Sequence, residues 1–128
     1  MKNKSFVLLA GLILLSVVLT ACAAPKEANF PTGKFVRKDM QAKYYLFNAD
    51  GSWELYDGFF RVASGTYEVD GDVYTDISSD TNCGPQMSFN YVFDGTNLTF
   101  NYVDNPKDDL CINRTWEMDN VTYILSEE

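Results

Sequence analysis

The sequence contains no histidine among its 128 residues. Histidine is the commonest general base, the usual partner of serine and cysteine nucleophiles and a frequent zinc ligand. Basic residues are also scarce, with 10 Lys and Arg against 18 Asp and Glu, and they form no cluster that could hold nucleic-acid phosphates. We therefore expect no enzyme, no metal or other cofactor, and no nucleic-acid partner.

Long apolar segments are absent except near the start of the chain. Lys2 and Lys4 precede an apolar run, Phe6–Val18, that is interrupted only by a glycine and a serine. A basic stretch, a short apolar stretch and small residues in that order predict a secretory signal peptide. The run is too short for a membrane span, which needs about 20 residues. We expect residues 1–21 to be the signal peptide.

The end of this segment, Leu19-Thr20-Ala21-Cys22, resembles the bacterial lipobox. The resemblance implies cleavage before Cys22 and attachment of diacylglycerol to its sulfur. Residue 23 is Ala, whereas inner-membrane retention in Gram-negative lipoproteins typically depends on Asp there. The expected location is therefore the cell envelope, outside the cytoplasm and lipid-anchored to a bacterial membrane, which is the outer membrane if the cell is Gram-negative. Residues 22–32 contain two prolines and small residues, and predict a flexible tether.

Cysteine is scarce too, with three residues in the chain. The lipobox accounts for Cys22 and leaves Cys83 and Cys111. In an oxidising compartment an even remainder predicts one disulfide. The alternative is a reactive or metal-binding pair, but no basic residue flanks either cysteine closely enough to indicate a lowered thiol pKa.

Residues 33–128 predict one all-β domain. Apolar and polar residues alternate with a period of two, and Asp-Gly pairs follow several of these runs. Alternation rich in aromatic and β-branched residues is typical of half-buried strands, and Asp-Gly predicts tight hairpins through type I′ turns. The alternating or apolar runs are 44–47, 52–56, 65–69, 73–77, 87–93, 98–102, 114–118 and 121–125. About eight strands joined by hairpins favour a single antiparallel up-and-down β-barrel, with a two-sheet sandwich as the alternative.

Several motifs resemble those of small lipocalin-like (calycin) domains of bacterial lipoproteins. Gly33-Lys34-Phe35 is similar to the lipocalin Gly-x-Trp motif, with Phe in place of Trp, and Arg114 is similar to the late arginine that packs across it. Segments 65–72 and 93–100 resemble two hairpins common in such domains. The resemblance implies a lipocalin-like barrel in which Phe35 and Arg114 close one end. It also implies a small apolar or amphipathic ligand inside.

Two kinds of binding remain open. Inward aromatic rings would contact a small ligand, or they would simply fill the core. Large rings beside Asp57-Gly58 would instead mark a surface for an envelope protein, as in an inhibitor-type module. The candidate contact residues are Trp53, Phe59, Phe60, Tyr67, Tyr91 and Tyr102. Two weaker alternatives are an enzyme and a calcium site. The carboxylates that could converge in an enzyme are Asp70, Asp72, Asp76, Asp80, Asp104, Asp108 and Asp109, and the calcium site would use Asp104, Asn105, Asp108 and Asp109. We expect a monomer.

Overall fold

The computed structural model describes residues 30–78, 86–103 and 112–127. Within these ranges the chain forms eight strands and one short helix. Their bounds are β1 Gly33–Arg37, β2 Lys43–Phe47, β3 Ser52–Asp57, β4 Phe60–Asp70, β5 Val73–Ser78, β6 Met87–Phe93, β7 Asn97–Tyr102, α1 Ile112–Met118 and β8 Val121–Leu125.

Every strand pairs antiparallel with the strand that follows it, and β8 pairs with β1. In this last pair Phe35 lies opposite Leu125, and Arg37 lies opposite Tyr123. The sheet is therefore a closed barrel without a free edge strand, which removes the main aggregation hazard of an open sheet. The prediction of an all-β, up-and-down barrel of about eight strands is confirmed, and the sandwich alternative is wrong.

The structure adds one strand, β1, that is not among the predicted runs, and one predicted strand is a helix. The alternation of Arg114, Trp116 and Met118 predicts a strand, but these residues lie in α1. The buried residues of α1 are Arg114, Thr115, Glu117 and Met118, a helical spacing, while Trp116 is half-exposed. The sequence pattern misleads because two of the four buried residues are charged, so the helical stripe does not look apolar. A seven-residue helix is not stable alone and depends on its packing against β7 and β8.

The Asp-Gly pairs mark turns where the sequence predicts them. The β4–β5 and β3–β4 hairpins have two-residue loops, since Asp70 pairs with Val73 and Asp57 pairs with Phe60. In both loops the glycine at the first position has a positive φ, +63° at Gly71 and +61° at Gly58. The second loop residue does not, and this is the φ pattern of a type II′ turn. The turn positions are thus confirmed, whereas the predicted type I′ geometry is wrong for the Asp70-Gly71 hairpin.

Alternating strand direction gives the barrel two different ends. The acidic end carries the β2–β3, β4–β5 and β6–β7 connections and the entry of the chain into β1. Its turns contain Asp50, Asp70, Asp72 and Asp94. The helical end carries α1 and the β1–β2, β3–β4 and β5–β6 connections. Cys22, Cys83 and Cys111 lie outside the described residues, but the connections that contain Cys83 and Cys111 both leave from the helical end.

The interior is a packed cluster of aromatic rings. Four of the most buried side chains, Phe35, Tyr74, Phe89 and Phe100, have no exposed surface. Ring centroids of neighbours such as Tyr74 and Phe100 lie 5.1 Å apart, a distance typical of favourable aromatic pairs. The hydrophobic effect of this cluster is the main force that closes the sheet.

Candidate functional site

The inward aromatic residues proposed for ligand contact use their polar atoms to fasten the barrel. The indole nitrogen of Trp53 donates to the carbonyl of Thr66 at 3.0 Å. The hydroxyl of Tyr67 donates to the carbonyl of Asn48 at 2.8 Å, and that of Tyr91 to Gly71 at 3.2 Å. The ring of Tyr102 packs 5.5 Å from that of Phe89. Each residue therefore has a structural role in the described barrel, and their contact with a ligand stays a prediction.

Phe30 plugs the acidic end. This residue precedes the predicted start of the domain at residue 33, yet only 9% of its surface is exposed. Its ring lies 5.0–5.1 Å, centroid to centroid, from four other rings. Those rings belong to Phe47, Tyr67, Tyr74 and Tyr91. The plug fills the barrel at this end and fixes the point where the preceding chain leaves the folded domain.

Two charged clusters hold α1 over the opposite end. In the first, Glu117 accepts hydrogen bonds from Arg37, at 2.9 Å, and from Lys43. The same two cations lie over the ring of Trp116, 4.4 Å and 4.8 Å from its centre. The buried carboxylate thus neutralises cations from β1 and β2, and cation–π contacts add to the attachment. The hydroxyl of Tyr123 also donates to the carbonyl of Glu117 at 2.7 Å.

The second cluster lies within the barrel wall. Arg114 reaches from α1 to Asp76 on β5, and its Nε lies 3.1 Å from a carboxylate oxygen. Both side chains are buried, at 7% and 3% exposure. Burial raises the pKa of Asp76 to about 6, although the positive charge of Arg114 opposes this shift. Within the described part of the chain, one oxygen of Asp76, both terminal nitrogens of Arg114 and the hydroxyl of Tyr74 have no hydrogen-bond partner.

The two residues assigned by resemblance to barrel closure occupy different environments. The ring of Phe35 packs against Phe47 and Phe93 at centroid distances of 5.8 Å and 6.0 Å. Arg114 is paired with Asp76 and is not among the cations that lie over a ring in the described ranges. Arg114 lies in α1 and not in a strand. Its role in barrel closure and its packing on Phe35 stay predictions.

Sequence reasoning did not predict that Asp76 and Glu117 are buried and paired with cations. On β5, Val73 and Ile77 form the more apolar face, so the face with Asp76 looks like the solvent side. The structure buries that face because Tyr74, on the same face, belongs to the aromatic core. The available signal was the spacing of Asp76 and Tyr74. Residues two apart on a strand share a face, so a buried Tyr74 predicts a buried Asp76.

Exposed apolar side chains concentrate at the helical end. We call this set the apolar rim, and it comprises Met40, Phe59, Phe60, Val62, Val103, Ile112 and Trp116. Phe59 is 98% exposed and Phe60 is 77% exposed. Among the large hydrophobic side chains that the described ranges leave exposed, only Val92 lies outside the rim. Such segregation is unusual for chance exposure, which scatters apolar residues singly over a surface.

Contacts between loops make much of the rim one continuous surface. The amide of Gly58 in the β3–β4 turn donates to the carbonyl of Ala42 in the β1–β2 loop at 2.8 Å. Lys43, at the start of β2, lies opposite Asp57 in the β2–β3 register, and its ammonium group lies over the ring of Trp116 in α1. The β3–β4 turn, the β1–β2 loop and α1 are therefore held together at the helical end.

Among the described residues, no group of three or more Cys, Asp or Glu side chains is arranged to hold a metal ion. The alternative calcium site at residues 104–109 lies outside the described ranges. None of the helices in those ranges is both long and apolar enough to cross a membrane.

Comparison with protein-family models, with curated proteins and with solved structures finds no significant match for this chain. The lipocalin-like resemblance therefore stays a prediction, and any functional proposal depends on the geometry of the barrel.

Proposed function

We propose that this chain is a non-catalytic lipoprotein of the bacterial cell envelope that binds a protein partner through the helical end of its barrel. The observation that carries the proposal is the apolar rim, which collects at one end nearly all large hydrophobic side chains that the described fold leaves exposed. Exposed apolar surface of this kind marks interaction sites. This is the alternative that the exposed Phe59-Phe60 pair predicts.

The packed interior favours binding of a partner at the protein surface over binding of a small molecule inside the barrel. Phe30 fills the acidic end, α1 covers the helical end, and the rings between them are in contact. A small-molecule site needs concave space lined by apolar groups and a few free polar groups. The inward hydroxyls of Tyr67 and Tyr91 are already bonded to backbone carbonyls. The unpartnered polar atoms of Tyr74, Asp76 and Arg114 lie where the packed rings meet the Arg114–Asp76 ion pair. An internal apolar ligand would have to displace these packed rings.

Four carboxylates of the described residues support the non-catalytic part of the proposal. Asp50 and Asp94 accept hydrogen bonds within their own turns, and these bonds lower the pKa of each carboxyl. Asp76 and Glu117 are buried and ion-paired with cations. General acid–base catalysis needs a carboxyl that can reach a substrate, and each of these four groups has a structural partner instead.

The position of the chain entry supports display away from the membrane. The chain reaches β1 through Phe30 at the acidic end, and Phe30 is eight positions after the proposed lipid-bearing Cys22. Fully extended, that segment spans at most about 28 Å. An anchor at Cys22 would therefore hold the acidic end toward the bilayer and leave the helical end facing outward.

In-cell photocrosslinking of the full-length, lipidated protein tests the proposal. A photoreactive phenylalanine analogue replaces Met40 or Trp116 at the helical end, with Val92 at the acidic end as the matched exposed control. We expect protein adducts at the two helical-end positions and few at Val92. Adducts that are equal at all three positions, or absent at both helical-end positions, would contradict the proposal. Native mass spectrometry that finds a small apolar molecule retained in stoichiometric amount would favour internal binding instead.

A further inference from the structure

The β3–β4 turn is the most prominent feature of the apolar rim. Phe59 is the second residue of a two-residue loop and is 98% exposed, so almost nothing in the protein contacts its ring. Phe60, the next residue, is 77% exposed although it opens β4. The register places Phe60 opposite Asp57, on the side of the hairpin that continues the inner face of the barrel beyond its end. Two adjacent phenylalanine rings therefore project from a convex tip.

The base of this hairpin is held firmly. The β1–β2 loop bonds to Gly58 at 2.8 Å, and Arg61 on β4 pairs with Glu54 on β3 at 2.6 Å. The ring of Tyr56 stacks on that of Tyr44 with centroids 4.9 Å apart. A tip that is already ordered loses little conformational entropy when it is buried against another molecule.

We propose, on the basis of the function proposed above, that the Phe59-Phe60 tip inserts into a concave apolar cleft of a protein located on the far side of this domain from the membrane. The tip is convex, so its partner surface must be concave. It is also apolar, so the cleft must offer apolar walls to replace water. This specifies which part of the rim carries the binding energy and what shape of protein surface receives it.

Charge favours a protein over a lipid surface as the occupant. Peripheral membrane attachment usually combines aromatic rings with basic side chains that face anionic lipids. Arg61, the cation next to Phe60 in the chain, is paired with Glu54, and Asp57 adds a negative charge beside the turn. The two charged residues that flank the tip therefore leave it without an unpaired cation that could attract anionic lipids.

The distance of the tip from the chain entry also favours a protein over a membrane as the occupant. The tip lies at the helical end, whereas the chain enters the barrel at the acidic end. To bring the tip to the bilayer that holds Cys22, the segment from Cys22 to Phe30, which spans at most about 28 Å, would have to run back along the barrel. A tip that faces away from the anchoring membrane meets proteins of the envelope or the medium.

The test uses the full-length, lipidated protein with the photoreactive analogue at residue 59, together with the variants Phe59→Ser and Val92→Ser. We expect residue 59 to crosslink to one protein. The affinity for that protein, once purified, should fall by about 30-fold in Phe59→Ser, the effect of a central apolar anchor, and change less than twofold in Val92→Ser. Phe59→Leu should retain most of the affinity because it keeps an apolar side chain. Thermal unfolding should be unchanged in Phe59→Ser, since the ring contacts almost nothing.

The other outcomes separate this inference from the function proposed above. Adducts at Met40 or Trp116 without one at residue 59 would overturn the role of the tip and leave the proposed function standing. A crosslink from residue 59 to lipid, or to a second copy of this chain, would overturn the assigned occupant. The absence of adducts at all three helical-end positions would refute both proposals.

Discussion

Replacement of Phe30 by alanine should destabilise the whole barrel, although the residue lies before the first strand. The ring is 9% exposed, and four neighbouring rings lie within 5.1 Å of it, centroid to centroid. Truncation of a buried phenylalanine to alanine costs about 3–5 kcal/mol, which combines the lost burial with the cavity left behind. Because Phe30 lies at one end, where neighbours can partly collapse into the space, we expect about 3 kcal/mol.

Urea unfolding followed by tryptophan fluorescence measures this effect. Trp53 is 4% exposed and lies in the barrel wall, so its emission should report loss of the core. The matched control is Phe59→Ala, which removes the same side chain from a position that is 98% exposed. The control should change the free energy of unfolding by less than about 0.5 kcal/mol.

Two results would refute the reasoning. If Phe30→Ala unfolds within about 0.5 kcal/mol of the unaltered protein, the ring does not belong to the core. If Phe59→Ala is as destabilising as Phe30→Ala, exposure does not explain the difference between the two positions. A chain that begins at residue 33 should show the same loss as Phe30→Ala, because it lacks the same ring.

Three further predictions concern charge, redox state and anchoring. The pKa of Asp76 is about 6 in the folded protein and 3.8 in an unfolded chain, so ionisation of this carboxyl opposes folding. The stability that the neutral carboxyl contributes is present below about pH 4. It is lost as the pH rises to about 6, and the loss is roughly 3 kcal/mol. The free energy of unfolding of the unaltered protein, minus that of Asp76→Asn, should therefore fall by that amount from pH 4 to pH 7 in urea titrations, and a rise of this signed difference with pH would contradict the assignment. Oxidised exported protein should have no titratable thiol at Cys83 or Cys111, and two free thiols would disprove the predicted disulfide. Cys22→Ser should move the protein from the membrane to the soluble fraction because the acyl chains supply the anchor, and continued sedimentation with membranes would exclude a lipid anchor.

The sequence determined the barrel because strand formation depends on local patterns. Alternation with a period of two specifies one face for the core, and glycine in a two-residue loop supplies the positive φ that a tight turn needs. Eight strands in a row with short connections leave few topologies, and the closed meander is the one that hides its edges. The pair Phe59-Phe60 beside Asp57-Gly58 also gave a correct candidate for an exposed patch.

Tertiary structure decided what lies at the two ends of the barrel. In the sequence, Phe30 belongs to the predicted flexible tether. It fills the end of the barrel only because folding brings five other aromatic rings around it. The charges of Arg114 and Glu117 make the buried stripe of α1 look polar in the sequence. These charges are buried because partners from distant strands neutralise them. Those partners, Asp76 for Arg114 and Arg37 for Glu117, are 38 and 80 residues away and cannot be paired from periodicity. A local pattern fixes which face of a strand is inward. The partner of a buried charge is distant in sequence, and only the closed barrel places the two side chains next to each other.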